Sequence, residues 1–206
     1  MTGDIETEPN ARLELAEDAQ ELLFRSARTP NTFTDEPVHD EHLEAIYDLF
    51  RFAPTSMNQQ PLRILVLRSS AARARLDPYL AEGNRPKTAM APAVAILAAD
   101  LEFHEHLPKI FPHRPNAGDA YADRAVRENS ARFNATLQIG YFILAVRAAG
   151  LAAGPMIGFD AAGVDREFFA DGRLTSLVVV NIGRPGPNAW FPRLPRLSYD
   201  EVVTVI

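Results

Sequence analysis

The chain has 206 residues, 47% hydrophobic and 23% charged, a composition typical of a globular protein that buries one core rather than of a disordered or fibrous chain. Its net charge of -6 opposes attraction to nucleic-acid phosphates and anionic lipid, so we expect no nucleic-acid partner. The absence of cysteine excludes disulfides, thiolate metal sites and cysteine nucleophiles, and it is compatible with a reducing compartment.

The N-terminal residues 1–11 are predicted to form a mobile leader, and residues 12–206 a single domain. The acidic start lacks both the basic segment and the apolar stretch of a secretion signal, so a cytoplasmic location is expected. The longest apolar run, residues 139–146, is interrupted by Gly140 and ends before Arg147. It is shorter than the ~20 residues that cross a bilayer, and we expect no membrane span.

Two helices are predicted in the first quarter of the chain. Apolar residues between positions 13 and 24 indicate the first helix, which Pro30 should end by Thr29. Residues 25–28 then lie at its carboxyl end. Asp40 is a plausible N-cap for a second, amphipathic helix over residues 40–52.

Residues 53–61, between that helix and an apolar strand, combine two prolines with several hydrogen-bonding side chains. Such a loop can present donors and acceptors to a polar ligand, although an ordinary connection would have the same composition. The side chains concerned are Thr55, Ser56, Asn58, Gln59 and Gln60.

Apolar runs predict strands at residues 62–67 and 93–99 with a helix at 70–80 between them. Asn84 and Lys87 fall in the connection that follows this helix. Residues 100–118 follow neither helical nor strand periodicity, which suggests a functional lid or a packed excursion, and we interpret them as mobile or substrate-facing.

A long central helix is predicted from Tyr121 to Ala149, ended by Gly150. Its apolar stripe contains Phe133, Leu137, Tyr141, Leu144 and Ala148.

Residues 154–159 are predicted to form a turn before a short helix capped by Asp160, and residues 174–182 a third strand buried on both faces. The tail over residues 184–206 carries apolar side chains that are costly to expose, so we expect it to pack against a partner chain. Periodicity alone supports an alternating α and β chain. The tail residues concerned are Trp190, Phe191, Leu194 and Leu197.

No glycine-rich dinucleotide fingerprint or phosphate loop is present, so side chains would have to hold a phosphate. Arg25, Ser26 and Arg28 offer two guanidinium groups and a hydroxyl for charge-assisted bonds. Arginine residues are also common at the carboxyl end of a helix, where they interact favourably with the helix dipole without binding a ligand. The two interpretations of residues 25–28 therefore stay open.

The segment over residues 100–118 holds most of the other ionisable candidates. His104 and His106 are unspecific as metal ligands, because no carboxylate follows at a set distance, and we expect no metal site. Lys109 and Arg114 are candidates to receive a substrate carboxylate, weighed against an ordinary solvated surface.

The order and spacing of these motifs resemble the nitroreductase family of flavin enzymes from Phe24 to Ser198. The motifs are Arg25-Ser26-x-Arg28, Pro54-Thr55-Ser56-x-Asn58-x-Gln60-Pro61, Asn84-x-x-Lys87, Gly154-Pro155-Met156-x-Gly158-Phe159 and Arg193-Leu194-Pro195.

Within the family, the chain is most similar to the branch that reduces malonic semialdehyde to 3-hydroxypropionate in pyrimidine breakdown. The strings that carry this similarity are Ala27-Arg28-Thr29-x-Asn31, Tyr47-Asp48-Leu49, Gly83-Asn84-x-x-Lys87-Thr88, Leu107-Pro108-x-x-Phe111-Pro112-His113 and Arg193-Leu194-Pro195-Arg196-Leu197-Ser198.

The resemblance implies an α+β, three-layer fold in which helices flank a central mixed sheet and a C-terminal extension reaches the partner subunit of a homodimer. It implies one flavin mononucleotide (FMN) per site, with NADPH or NADH as hydride donor. Arg25, Ser26, Arg28 and Arg193 would hold the phosphate and ribityl chain. The remaining cofactor residues implied are Asn84 and Lys87 at the ring edge, Pro155, Met156, Ile157 and Gly158 along the ring, and Pro54, Thr55, Ser56 and Asn58 toward the partner's cofactor.

Many relatives have an acidic residue in place of Ile157, so this chain departs from the family pattern at that position. No side-chain nucleophile is required, because the flavin carries the hydride, and no catalytic side chain is assigned.

The implied activity is reduction of malonic semialdehyde by alternating hydride transfer in one pocket. Two alternatives stay open from the sequence: a broad-specificity nitroaromatic or quinone reductase, and a flavin-binding or flavin-delivery protein without turnover. The choice between NADH and NADPH also stays open, because no ribose-recognising fingerprint exists.

Overall fold

The computed structural model describes residues 13–206, so the leader predicted at residues 1–11 lies outside the described part of the chain. Four strands form one sheet in the order β1-β2-β4-β3. Every neighbouring pair is antiparallel. The expectation of a mixed sheet is therefore wrong for these residues. The strands are β1 (Leu62–Leu67), β2 (Ala93–Asp100), β3 (Ala152–Met156) and β4 (Leu174–Gly183).

Strand β2 has helices over both of its faces, and all eight of its residues are buried. Because successive side chains point to opposite faces, Ala95 and Leu97 join one core cluster and Val94 and Ile96 the other. The expected α+β, three-layer arrangement is confirmed. The helices are α1 (Glu17–Gln20), α2 (Asp40–Phe50), α3 (Ser70–Leu76), α4 (Arg85–Met90), α5 (Leu107–Ile110), α6 (Arg124–Ala148), α7 (Ala161–Phe168) and α8 (Tyr199–Val202).

The first predicted helix is shorter than expected and has two parts. Helix α1 continues into a π-helical turn, Glu21–Arg25, and the helical backbone ends at Ser26 rather than at Thr29. Single π-helical turns are rare in proteins, and those that occur are often found at functional sites. The turn places Arg25 at its carboxyl end, as the sequence predicted.

Helix α2 begins at Asp40, where the helix was predicted to begin, but its N-cap is His39 and not Asp40. The His39 backbone N–H donates to His42 Nδ1 at 3.2 Å. Asp40 instead pairs with Arg68 at 2.7 Å and so connects α2 to the end of β1.

Two short elements were not predicted. Residues 154–156, expected in a turn, belong to the edge strand β3, where the missing N–H of Pro155 can be tolerated. Residues 85–87, expected in a connection, begin helix α4, and Pro86 lies in its first turn, where proline suits a helix.

The segment over residues 100–118 is packed onto the core. It forms a 3-10 helix (Phe103–His106), helix α5 and the start of a second 3-10 helix (Pro115–Tyr121). Phe103 and Leu107 are completely buried. Because these side chains anchor the backbone, the packed alternative describes this segment, and the interpretation as a mobile lid is wrong for its buried part.

Helix α6 exposes much of the apolar stripe that the sequence indicated as its main face. Phe133 is 66% exposed, and Leu137 and Tyr141 are exposed as well, whereas Ala135 and Phe142 on the opposite face enter the core. Small side chains on the buried face let the helix approach the sheet. No helix in the described part of the chain, α6 included, is long and apolar enough to cross a membrane.

The C-terminal tail leaves the sheet after Gly183, and Ala189 is buried, but the large apolar side chains of the tail are exposed. Phe191 and Leu194 are both more than 70% exposed. Helix α8 is also exposed, with Val202 at its end. The prediction that this tail covers a partner chain stays a prediction.

Candidate functional site

A cavity of about 180 Å³ lies where the π-helical turn meets the end of α6 and the start of β3. Ser26, Arg28 and Arg147 contribute its polar side chains, and Trp190 closes one side. Within residues 13–206, neither Arg28 nor Arg147 forms an ion pair with a carboxylate. The cavity therefore holds two positive charges that are not neutralised by these residues.

Arg193, from the motif nearest the C-terminus, reaches the same region. Arg193 Nη2 donates to the backbone carbonyl of Arg25 and, at 3.4 Å, to that of Ala27. Ser26 Oγ donates to Glu21 Oε2 at 2.5 Å. The structure thus brings Arg193 to the backbone of the segment that carries Arg25, Ser26 and Arg28, although 168 positions separate Arg25 from Arg193. Ser26 and Arg28 line the cavity, whereas the Arg25 side chain pairs with Glu21.

Asn84 and Gly158 form a second group. Asn84 Nδ2 donates to the Gly158 carbonyl at 2.9 Å, and the Ala81 N–H donates to the same oxygen at 2.9 Å. A Cβ atom at Gly158 would lie 2.9 Å from Asn84 Nδ2, so glycine permits this close approach. The predicted ring-edge residues and the segment after β3 are therefore neighbours.

Lys87 is a partly buried cation in this second group. No hydrogen bond or ion pair satisfies its ammonium within the part of the chain that the structure describes. Burial lowers the pKa of Lys87, because desolvation disfavours the charged form. A negatively charged ligand beside it would relieve that cost.

The side chains of Met156 and Ile157, at the end of β3, differ in their exposure to solvent. The Met156 side chain is buried, with Sδ 3.9 Å from Thr88 Oγ1 and 4.0 Å from Asn181 Nδ2. Ile157 is 80% exposed and Pro155 is partly buried. Met156 could therefore line a ligand only through its backbone, whereas the Ile157 side chain is accessible.

Strand β3 connects the two groups. Ala152 at its start lines the cavity, and Met156 at its end leads to Gly158. Four residue steps in a strand span ~13 Å at about 3.3 Å per residue. The two groups therefore lie along one edge strand, separated by the length of a small extended ligand.

The segment over residues 54–60 has an unusual backbone. Met57, Asn58 and Gln60 all have positive φ angles, of 48°, 53° and 46°. Such conformations cost free energy and concentrate at functional sites. Gln60 Nε2 donates to Asn58 Oδ1 at 2.8 Å, and its backbone N–H donates to Thr55 Oγ1 at 3.3 Å, which stabilises the turn locally.

A buried amide attaches this segment to α6. Gln59 is completely buried and donates through Nε2 to Tyr121 Oη, while its Oε1 accepts from Ser130 Oγ at 3.0 Å and from Asn134 Nδ2 at 3.1 Å. Asn134 Oδ1 in turn accepts from the Ser56 N–H at 2.8 Å. The sequence motifs offered no signal for Tyr121, Ser130 or Asn134, because these contacts join residues more than 60 positions apart.

Within a single chain, the segment over residues 54–58 lies far from the cavity. Ser56 bonds to Asn134, whereas Arg147 lies at the cavity, thirteen residues further along α6. Thirteen residues of α-helix span ~20 Å at about 1.5 Å per residue. The exposed apolar stripe of α6 runs through the interval, so a second chain against it could complete the site.

A basic surface adjoins the same segment. Asn58 Nδ2 donates to the Ile110 carbonyl at 2.8 Å, and Lys109 and Arg114 are exposed on either side. Within residues 13–206, neither cation forms an ion pair, and residues 106–118 contain no Asp or Glu. The rings of His113 and Phe111 are in contact, with centroids 3.9 Å apart and planes tilted by 58°.

His104 and His106 each lie near a carboxylate. His104 Nδ1 lies 3.6 Å from Glu102 Oε2, and His106 Nε2 lies 3.7 Å from the buried Asp100. In the described residues, no group of three or more side chains could hold a metal ion.

The sequence profile of the nitroreductase family matches residues 24–184. The chain belongs to the nitroreductase family. A protein of Streptomyces coelicolor, provisionally named NADH dehydrogenase/NAD(P)H nitroreductase, is 65% identical over 91% of this chain and 96% of its own length. A Streptomyces griseus protein with the same provisional name is 63% identical over the same shares.

Solved nitroreductase structures share the fold. A Bacillus subtilis protein, provisionally named a nitroreductase, has a TM-score of 0.81 at 22% identity and covers 89% of this chain and 97% of its own. A protein from Exiguobacterium sibiricum with the same provisional name, solved in complex with FMN, has a TM-score of 0.81 at 20% identity over 94% of this chain and 99% of its own. At these identities the likeness supports the fold.

Proposed function

We propose that this nitroreductase-family chain is an FMN-dependent NAD(P)H oxidoreductase that acts as a homodimer on a small carbonyl substrate. The single observation that carries the proposal is the cationic cavity at one end of β3, with the half-buried cation of Lys87 at the other. FMN has a phosphate and a ring at opposite ends of a ribityl chain, so it matches both groups. The FMN complex of the Exiguobacterium protein and the NAD(P)H names of the Streptomyces relatives support this proposal.

The residues present fit FMN chemically. Arg28 and the Ser26 hydroxyl line the cavity, Arg193 reaches the Arg25 backbone, and guanidinium groups suit phosphate oxygens. Lys87 would offer a positive charge at the flavin ring, and Asn84 positions the Gly158 loop beside it. FMN, when bound, supplies hydride transfer between a nicotinamide and a second substrate.

The partner subunit would complete each site. Pro54, Ser56 and Asn58 are exposed, and Thr55 is partly exposed, on a rigid segment about 20 Å along α6 from the cavity, as derived above. A two-fold dimer across the exposed stripe of α6 would present this segment to the other chain's cofactor. The exposed apolar tail over residues 184–206 would cover additional partner surface.

Malonic semialdehyde is the second substrate that we propose. It is a short aldehyde with a carboxylate, and the exposed cations of Lys109 and Arg114 lie beside Asn58 at the proposed site. A broad nitroaromatic or quinone reductase would not need these charges. The basic surface therefore favours a carboxylate-bearing substrate over a neutral one.

The proposal is tested with purified, FMN-loaded protein and either NADPH or NADH. We expect faster steady-state oxidation of the nicotinamide with malonic semialdehyde than with propanal or nitrobenzene. Changing Lys109 and Arg114 together to Ala should raise KM for malonic semialdehyde by about 10-fold, because two charge-assisted contacts are lost. The KM for propanal should change by less than about 2-fold.

Arg166→Ala is the matched control, because Arg166 is exposed on α7 in the opposite layer. Preferred turnover of nitrobenzene would favour the nitroreductase alternative, and flavin binding without steady-state turnover would favour a flavin-delivery role. A colourless protein that takes up no FMN would contradict the whole proposal.

Lys87→Met should lower the two-electron midpoint potential of bound FMN by about 30 to 60 mV, where 30 mV corresponds to about 1.4 kcal/mol. The cation stabilises negative charge on the reduced flavin, and methionine removes the charge with little change in length. Spectroelectrochemical titration measures the potential. Lys87→Arg keeps the charge and should stay near the wild-type value; a wild-type potential in Lys87→Met would show that the ammonium does not act on the ring.

A further inference from the structure

Arg147, near the carboxyl end of α6, is a partly buried cation that the sequence motifs do not include. Its Nη1 donates to the Leu23 carbonyl at 3.1 Å. Its Nε is buried and has no hydrogen-bond acceptor among residues 13–206. No carboxylate in that part of the chain pairs with the guanidinium.

This arrangement is unfavourable for an isolated chain. A buried donor without an acceptor costs about 1–3 kcal/mol, and buried charges in proteins are normally paired. Burial lowers the pKa of the Arg147 guanidinium, because desolvation penalises its charged form. An anion against Nε would remove both penalties.

The position of Arg147 identifies where such an anion would lie. The side chain lines the cavity of about 180 Å³ together with Ser26 and Arg28. Two acids of the surrounding segments have other partners: Glu21 accepts from Ser26 and pairs with Arg25 at 3.7 Å, and Glu36 accepts from Arg184 at 2.6 Å. The cavity thus keeps an excess of positive charge.

We propose that Arg147 is a further phosphate-binding residue, which donates from Nε to the FMN phosphate beside Ser26 and Arg28. This inference rests on the proposed FMN binding. A planar guanidinium with an unpaired N–H suits a phosphate oxygen, and the phosphate offers more oxygen acceptors than one arginine can occupy. The Leu23 contact also holds the π-helical turn that carries Arg25.

The test compares FMN with riboflavin, which lacks the phosphate, on flavin-free full-length protein. Arg147→Met should raise the Kd for FMN by about 10- to 100-fold, as expected for loss of a hydrogen bond between charged groups, and should leave the Kd for riboflavin within about 2-fold. Flavin fluorescence quenching measures both constants. Arg124→Met is the control, because Arg124 is exposed at the other end of α6 and pairs with Glu128.

Thermal unfolding first establishes that each variant folds. Should Arg147→Met not fold, Arg147→Lys keeps the charge without the planar fork, and it should weaken FMN binding by about 3- to 10-fold and riboflavin binding by less than 2-fold. Wild-type FMN affinity in the variant that folds would overturn the inference. Equal losses for FMN and riboflavin would also overturn it, since a phosphate contact cannot affect riboflavin.

A double-mutant cycle distinguishes direct phosphate contact from a purely positioning role, in which Arg147 would act through Leu23 and Arg25. In an Arg25→Met background, Arg147→Met should still weaken FMN binding by about 10-fold if Arg147 contacts the phosphate directly. No additional loss in that background would overturn direct contact. If wild-type protein itself binds no FMN, the proposed function fails, whereas the outcomes above affect Arg147 alone.

Discussion

Phe133→Glu is expected to convert the proposed homodimer into monomers and to abolish tight FMN binding. Phe133, the first residue of the α6 stripe, is 66% exposed, and full burial of such a side chain contributes about 1.5–3 kcal/mol. A two-fold interface contains the substitution twice, so dimerisation should weaken by about 3 to 6 kcal/mol. The glutamates would also be desolvated against apolar side chains.

Analytical ultracentrifugation across a concentration series measures this dissociation, and flavin absorbance in each species shows whether monomers keep FMN. Ala74→Glu introduces the same charge at an exposed position of α3, in the opposite layer, and should leave the dimer intact. A Phe133→Glu protein that stays dimeric would show that the stripe is not the interface. Monomers that retain FMN as tightly as the wild type would show that the partner's segment over residues 54–58 is not needed.

Gln59→Ala is expected to lower the free energy of unfolding by about 3 kcal/mol, because it removes the hydrogen bonds of a completely buried amide to Tyr121, Ser130 and Asn134. For a chain of this size the melting temperature should fall by about 6–12 °C. The substitution also releases the segment whose Met57, Asn58 and Gln60 adopt positive φ angles. We therefore expect weaker FMN binding as a second effect.

Thermal and denaturant unfolding measure the stability change, with FMN affinity measured in parallel. Gln60→Ala is the matched control, since its side chain donates only to Asn58 Oδ1 near the surface, and it should cost less than about 1 kcal/mol. Similar melting temperatures for the Gln59→Ala variant and the wild type would show that the network does not hold the segment in place.

Local sequence patterns predicted the elements that depend on nearby residues. The apolar run over residues 93–99 indicated a strand, which β2 confirms. Asp160 was predicted as an N-cap, and its carboxylate accepts from the Gly163 N–H at 3.0 Å. Strand β3 was missed because Pro155 argues against a strand unless the strand is known to lie at an edge.

The site residues differ in how far the sequence could identify them. The family motifs contained Arg25, Ser26, Arg28, Asn84 and Lys87, because each motif is a short string. Arg147 and Gln59 are not motif residues. Arg147 is a single arginine in a long helix, and Gln59 is one of several amide side chains in a polar loop. Their importance appears only from the burial of Arg147 Nε and from the partners of Gln59 on α6.

By itself, the sequence determined the strands β1, β2 and β4, the long helix, the motif residues and the family, because these depend on local periodicity and on the spacing of residue types. Only the tertiary structure decided which face of α6 enters the core, which polar groups are buried without partners, and which distant motifs meet along β3. Those features depend on contacts between residues far apart in the chain, whose geometry no local pattern contains.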